Sequence, residues 1–159
     1  MKKGLFKGLN RSEQKEIDRI LSGIKENERV QNMKKFVQHG KVSTYRHCEN
    51  VTRLSYLLNK RLGLRADTET LLKGAMLHDF YLYDWHEKDN GTHDWHGFIH
   101  ADRAIKNAET VFGVNDKVKH VVHCHMWPLN ITRLPRSREA WIVCVADKCV
   151  SLFESLFLR

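Results

Sequence analysis

Apolar positions recur at helical spacing along most of the chain. Ile17, Ile20, Leu21 and Ile24, then Val30, Met33, Phe36 and Val37, fall mostly three or four residues apart, the period of a helix with one buried face. Asn10 and Glu13 form a capping-box pair at the start of this stretch, and Gly40 offers a left-handed stop. The spacing predicts one interrupted helix or two short ones here. A cap at Ser43 or Thr44 opens a second segment, "YRHCENVTRLSYLLNKRLG", which closes at Gly63. A third helix starts near Asp67–Thr68 and runs to about Phe80. A fourth spans roughly 97–112, with Gly113 after it. A fifth begins at Asn115 and ends before Pro128, and a last one runs from Ser137 to near the C-terminus. Between the third and fourth, "YLYDWHEKDNGTHDWH" (81–96) has no clean period and carries the turn pair Asn90–Gly91. The prediction is an all-α protein, one compact helical domain of about six helices. Residues 1–42 form a basic N-terminal helical segment packing on the core, and 43–159 form the main body.

Composition narrows the class. A chain of 159 residues suits one domain with a single sizeable core. No apolar run approaches the roughly 18 residues of a membrane span, and the positively charged N-terminus lacks the apolar stretch of a secretory signal. Cys48, Cys124, Cys144 and Cys149 form no CxxC pair, which suits free thiols in a reducing compartment. A cytoplasmic protein without a membrane partner is expected. The net charge of +8 is uneven, because residues 1–41 hold eleven Lys/Arg against five Asp/Glu. Without interleaved aromatics this basicity reads as a solvated helix face rather than a nucleic-acid surface. The ten histidines, most of them between His78 and His125, matter more.

Placed on the helices, several ionisable residues point where apolar side chains point. His47 shares a face with Val51, Leu54 and Leu58. His78 continues the stripe Leu71–Ala75 with Asp79 adjacent. His125 aligns with Val118, Val121 and Val122, whereas His123 is rotated away. Asp147 aligns with Ala140 and Cys144. A single histidine on an apolar face is more often a hydrogen-bonded core residue than a ligand. Four helices each aiming a His or Asp inward would be heavily penalised unless the groups were paired. A divalent cation, which accepts neutral imidazole nitrogen and carboxylate oxygen together, resolves the penalty. His96 and His100 lie one turn apart at the fourth helix's start. His96 is preferred, since a loop–helix junction can turn its side chain inward without sacrificing a core position.

The order His47, His78–Asp79, Asp147, in the contexts "YRHCENV", "AMLHDF" and "VCVADK", resembles the HD superfamily of metal-dependent phosphohydrolases. "HGFIHADRA" and "VVHCHMWP" resemble the two further histidine segments of the subgroup that binds two metals. The resemblance covers roughly 43–150 and implies an HD-type helical domain. It also implies one or two divalent ions (Fe, Mn, Zn, Ni or Co). His47, His78, Asp79 and Asp147 would hold the first, and His96 and His125 the second, with Asp79 as the bridge. The implied activity is hydrolysis of a phosphomonoester, phosphodiester or phosphoanhydride of a small phosphorylated molecule, a nucleotide before others, by metal-activated water. The Gly-Tyr-Pro signature of the cyclic-dinucleotide phosphodiesterase branch is absent.

Beyond Asp79, catalytic candidates are Lys148 and Arg46 as cations for the leaving oxygen, though each could simply face solvent. Asp84 is a further candidate, able to orient water or a ligand histidine from the loop. Two other readings remain open within the family resemblance. One is a non-catalytic module that binds metal or nucleotide. The other is a di-iron oxygenase.

Overall fold

A computed structural model describes residues 8–82 and 96–158. In these residues the chain forms α1 (Arg11–Ile20), α2 (Glu28–Asn32) and a 3-10 turn (Met33–Lys35). A hairpin of β1 (Val37–His39) and β2 (Val42–Ser43) follows, then α3 (Thr44–Arg61), α4 (Thr68–Leu77), α5 (His96–Phe112), α6 (Asp116–Cys124) and α7 (Arg138–Phe157). Local chemistry sets the helix starts. Asn10 and Glu13 exchange both bonds of a capping box, and Ser43, Asp67, Asn115 and Ser137 each accept a backbone N–H from the first turn of α3, α4, α6 and α7. The architecture is the all-α one expected, with seven α-helices among the described residues and one small hairpin. None of these helices is long and apolar enough to cross a membrane.

One expected element is corrected. Phe36 and Val37 continue the apolar spacing of the preceding stretch, yet helix ends at the 3-10 turn and the chain becomes a two-stranded antiparallel hairpin. Gly40, at φ 58°, sits in its turn rather than stopping a helix. Two backbone bonds hold the hairpin in place: Thr44 N–H donates to the Phe36 carbonyl (2.8 Å) and closes it, and Lys41 N–H donates to the Leu158 carbonyl at the end of α7 (3.2 Å).

Helix α4 lies at the centre. Leu71, Leu72, Ala75, Met76 and Leu77 are fully buried, pointing to opposite sides of the helix, as expected of a helix with partners all round. On one side Leu72, Met76 and Leu77 join Ile17 and Leu21 of the α1 region, Met33, Tyr56 of α3 and Phe80. On the other, Leu71 and Ala75 join Val51 of α3, Val121 of α6, and Val143 and Ala146 of α7. Gly74 makes the α4–α6 approach possible, since a Cβ there would lie 2.5 Å from Val121 Cγ1. The N-terminal segment is anchored through Arg61, which pairs with Glu13 at 2.6 Å, and through Tyr56 Oη, which donates to Glu16 at 2.5 Å. Because α4 runs through the interior, the residues at its C-terminal end are delivered to the interior as well.

Candidate metal centre

Two helices end in the same device. His78 follows α4 and His125 follows α6, and each ring bonds through Nδ1 to the carbonyl three residues back. These carbonyls belong to Ala75 (2.8 Å) and Val122 (2.6 Å). They are among the last carbonyls of their helices, which lack intrahelical donors. A carbonyl can only accept, so Nδ1 carries a proton, and the lone pair that a neutral ring can offer lies on Nε2. His47, inside α3, is fixed differently. Its Nδ1 donates to Glu154 Oε2 at 2.8 Å, and its Nε2 lies 3.1 Å from Asp147 Oδ1. Glu154 is fully buried and also accepts from Asn50 Nδ2 at 2.8 Å. Asp147 and Glu154 stand two turns apart on α7, so one helix face provides both carboxylates.

Asp79 joins the parts. Its Oδ2 lies 3.4 Å from His78 Nε2 and 3.8 Å from His47 Nε2, while its Oδ1 lies 3.5 Å from His125 Nε2 and 3.4 Å from His100 Nε2. His100 Nε2 and His125 Nε2 face each other at 2.9 Å. His47, His78, Asp79, His100, His125 and Asp147 are all buried. Two triplets, His47–His78–Asp147 and His78–Asp79–His125, bring their donor atoms within 4.8 Å of one another.

The electrostatics are those of a site built for positive charge. Burial alone would depress the His47 imidazolium, but its hydrogen bonds to the Asp147 and Glu154 carboxylates outweigh burial and lift its pKa to about 10. His78 is also raised well above its ordinary value, with Asp79 foremost in overcoming burial. Asp79 and Asp147 are held well below the usual carboxylate range despite burial. His78, His125 and His100 hold Asp79 down, and His47 and His78 hold Asp147 down. A divalent ion fits this set on two counts. Neutral imidazole and carboxylate are the ligands such ions take. Moreover, His78 Nε2 and Asp79 Oδ1 are buried without a hydrogen-bond partner among the described residues, a costly condition unless another group satisfies them.

Of the residues singled out from sequence, His47, His78, Asp79, His125 and Asp147 thus converge. His96 opens α5, and its side chain lies outside the described residues, as does all of Asp84. His100, ranked behind His96, is the α5 residue seen in the cluster. Its stripe with Ala104 and Ala108, both fully buried, was the available signal. Lys148 stands at the edge, its Nζ donating to the His125 carbonyl (2.5 Å) and lying 3.3 Å from Asp147 Oδ2. Arg46 is not drawn in, and pairs with Glu49 at 3.2 Å on the outside of α3. His123 lies 3.7 Å from Asp102, outside the cluster. Sequence reasoning missed Glu154, although its seven-residue spacing from Asp147 places it on the same helix face.

Residues 44–152 match the family model of the HD domain. With more than half its length matched, including every member of the buried His/Asp cluster, the chain belongs to that family. No curated protein and no solved structure was found to match it.

Proposed function

We propose that this protein is a metal-dependent phosphohydrolase acting on a small phosphorylated molecule, with a nucleotide as the leading substrate class. The observation that carries the proposal is the division of Asp79. One oxygen faces His47 and His78, the other faces His100 and His125, and imidazole Nε2 atoms stand on both sides. In this reading His47, His78, Asp79 and Asp147 hold one divalent ion. His100 and His125 hold a second, with Asp79 shared. Ions bound there would activate water and neutralise phosphoryl charge. The chain's own groups hold the ligands in register: the Ala75 and Val122 carbonyls fix His78 and His125, and Glu154 fixes His47. Lys148 Nζ, on a partly exposed side chain beside Asp147, offers positive charge to a phosphoryl or leaving oxygen at the site's edge.

The test is metal content per chain after loading with Mn, Fe, Zn, Ni or Co, followed by assay of each form against nucleotides and a simple phosphodiester. Two equivalents in the wild type are expected, with one lost in His100→Ala. Phosphoester cleavage should disappear in Asp79→Ala. Stoichiometric metal with no cleavage under any ion would leave a binding module. Failure of the wild type to take up metal would overturn the metal reading altogether.

A further inference from the structure

The hairpin that displaces the expected helix has a chemical consequence at Asp79. Its register pairs Val37 with Ser43 and His39 with Val42. Two steps on β1 therefore match one step on β2, and Gln38 is the extra residue of a bulge. Bulges re-aim a side chain and are common beside active sites. The Gln38 side chain enters the interior, where its Nε2 donates to Asp79 Oδ2 at 2.6 Å. Its Oε1 accepts from the Tyr81 hydroxyl and lies 3.4 Å from Thr44 Oγ1. The amide is thereby oriented from behind, with its oxygen on the hydroxyls and its NH2 on the carboxylate.

We propose that Gln38 is a positioning residue for the shared carboxylate. By gripping Oδ2 it fixes the rotation of the Asp79 carboxyl group, so that Oδ1 is kept for the His100–His125 side. The inference rests on the two-ion reading above and adds a residue to it from outside the family-matched stretch, 44–152. The consequence is asymmetric. The first half-site retains His47, His78 and Asp147 if Asp79 turns. Among the described residues the second has His100 and His125 besides Asp79, so there it loses its one carboxylate. Gln38 therefore governs the second ion far more than the first.

The experiment is titration of the full chain with Mn2+ against a competing chelator, read together with the electron paramagnetic resonance signal of a coupled manganese pair. The variants are Gln38→Leu and Tyr81→Phe. In Gln38→Leu the second equivalent should bind about tenfold to a hundredfold more weakly, the loss typical when a group holding a ligand is removed. The coupled signal should collapse while the first equivalent stays near wild type. Tyr81→Phe keeps the ring, removes the hydroxyl behind Gln38, and should shift the second equivalent in the same direction by less. A role limited to packing would weaken both equivalents alike or neither, and that result overturns the proposal. If Gln38→Leu does not fold, Tyr81→Phe decides: an unchanged second equivalent rejects the positioning role. A wild type taking up fewer than two ions would instead reject the two-ion reading, and this inference with it, before any variant is compared.

Discussion

Removal of Glu154 gives the sharpest test of how the cluster is held. In Glu154→Ala, with metal chelated, two buried donors lose their acceptor at once: His47 Nδ1 and Asn50 Nδ2, each at 2.8 Å. A buried donor left unsatisfied costs about 1–3 kcal/mol, so the pair together costs about 2–6 kcal/mol. Breaking a buried ion pair by deleting one partner independently suggests about 3–5 kcal/mol. The two routes agree on a loss near 4 kcal/mol, a large part of a domain stability of about 5–15 kcal/mol. Glu154→Gln keeps the shape but puts an amide NH2 against one of two donors, so it should lose about 1–3 kcal/mol. The assay is urea unfolding by circular dichroism in excess chelator, on both variants and on a double-mutant cycle with His47→Ala. A loss below about 0.5 kcal/mol in Glu154→Ala, the range of an ordinary surface change, would mean that Glu154 does not hold His47 and Asn50 in place. So would additivity with His47→Ala, because residues in direct contact should couple by more than that.

Two further outcomes follow from the same geometry. Gly74→Ala should gain about 1 kcal/mol of helix propensity but force a Cβ to 2.5 Å from Val121 Cγ1; overpacking at about 1–3 kcal/mol wins, and a variant at least as stable as wild type in urea would contradict this. For pH, His47 has a folded pKa of about 10 against an unfolded value near 6.5, so the chelated protein holds this stabilisation below pH 6.5 and loses it as pH rises through about 10. Asp79 and Asp147, depressed below 3.8, act in the opposite sense and withdraw their contribution only as acid carries the pH below that value. Urea midpoints from pH 3 to 10 should show both flanks, with the alkaline decline reduced in the metal-loaded protein; an alkaline limb no steeper in the chelated form would contradict the assignment for His47.

Much of this fold was legible because its helix starts are chemically marked. Asn10, Ser43, Asp67, Asn115 and Ser137 each make the capping bond that their position in the sequence suggests. The hairpin was illegible for a physical reason. Strands of three and two residues are too short to show alternation, and Phe36 and Val37 happen to continue a helical period. What adds to the hairpin's own closing bond at Phe36 is a long-range one, from Lys41 N–H to the Leu158 carbonyl. Similar logic divides the site. His47, His78, His125 and Asp147 declare themselves by standing on apolar stripes. His100 stands on one too, with Ala104 and Ala108, but His96 one turn earlier carries the same imidazole, and spacing alone does not separate the two. Gln38 and Glu154 carry no ligand signature of their own. Their meaning comes from which atom they touch, and that is set by chain segments about 40 and 107 residues away.

The protons on this cluster explain how it could exist both with and without a cation. Asp79, Asp147 and Glu154 place three carboxylates in the interior, and burial of unpaired charge is not tolerated. With metal chelated, the elevated pKa values of His47 and His78 let imidazolium supply the balancing charge. Divalent ions would substitute for those protons, because a histidine must be neutral at the nitrogen that binds a metal. Metal uptake should therefore release protons and strengthen with pH over the interval in which the chelated protein weakens. The two behaviours are one equilibrium seen from opposite sides. Glu154 contributes to both, as the partner of the His47 imidazolium and as the acceptor that keeps a proton on Nδ1 and leaves Nε2 for the ion. With His47 fixed by Glu154 and His78 by the Ala75 carbonyl, the imidazole nitrogens that a divalent ion would take are oriented by the chain itself.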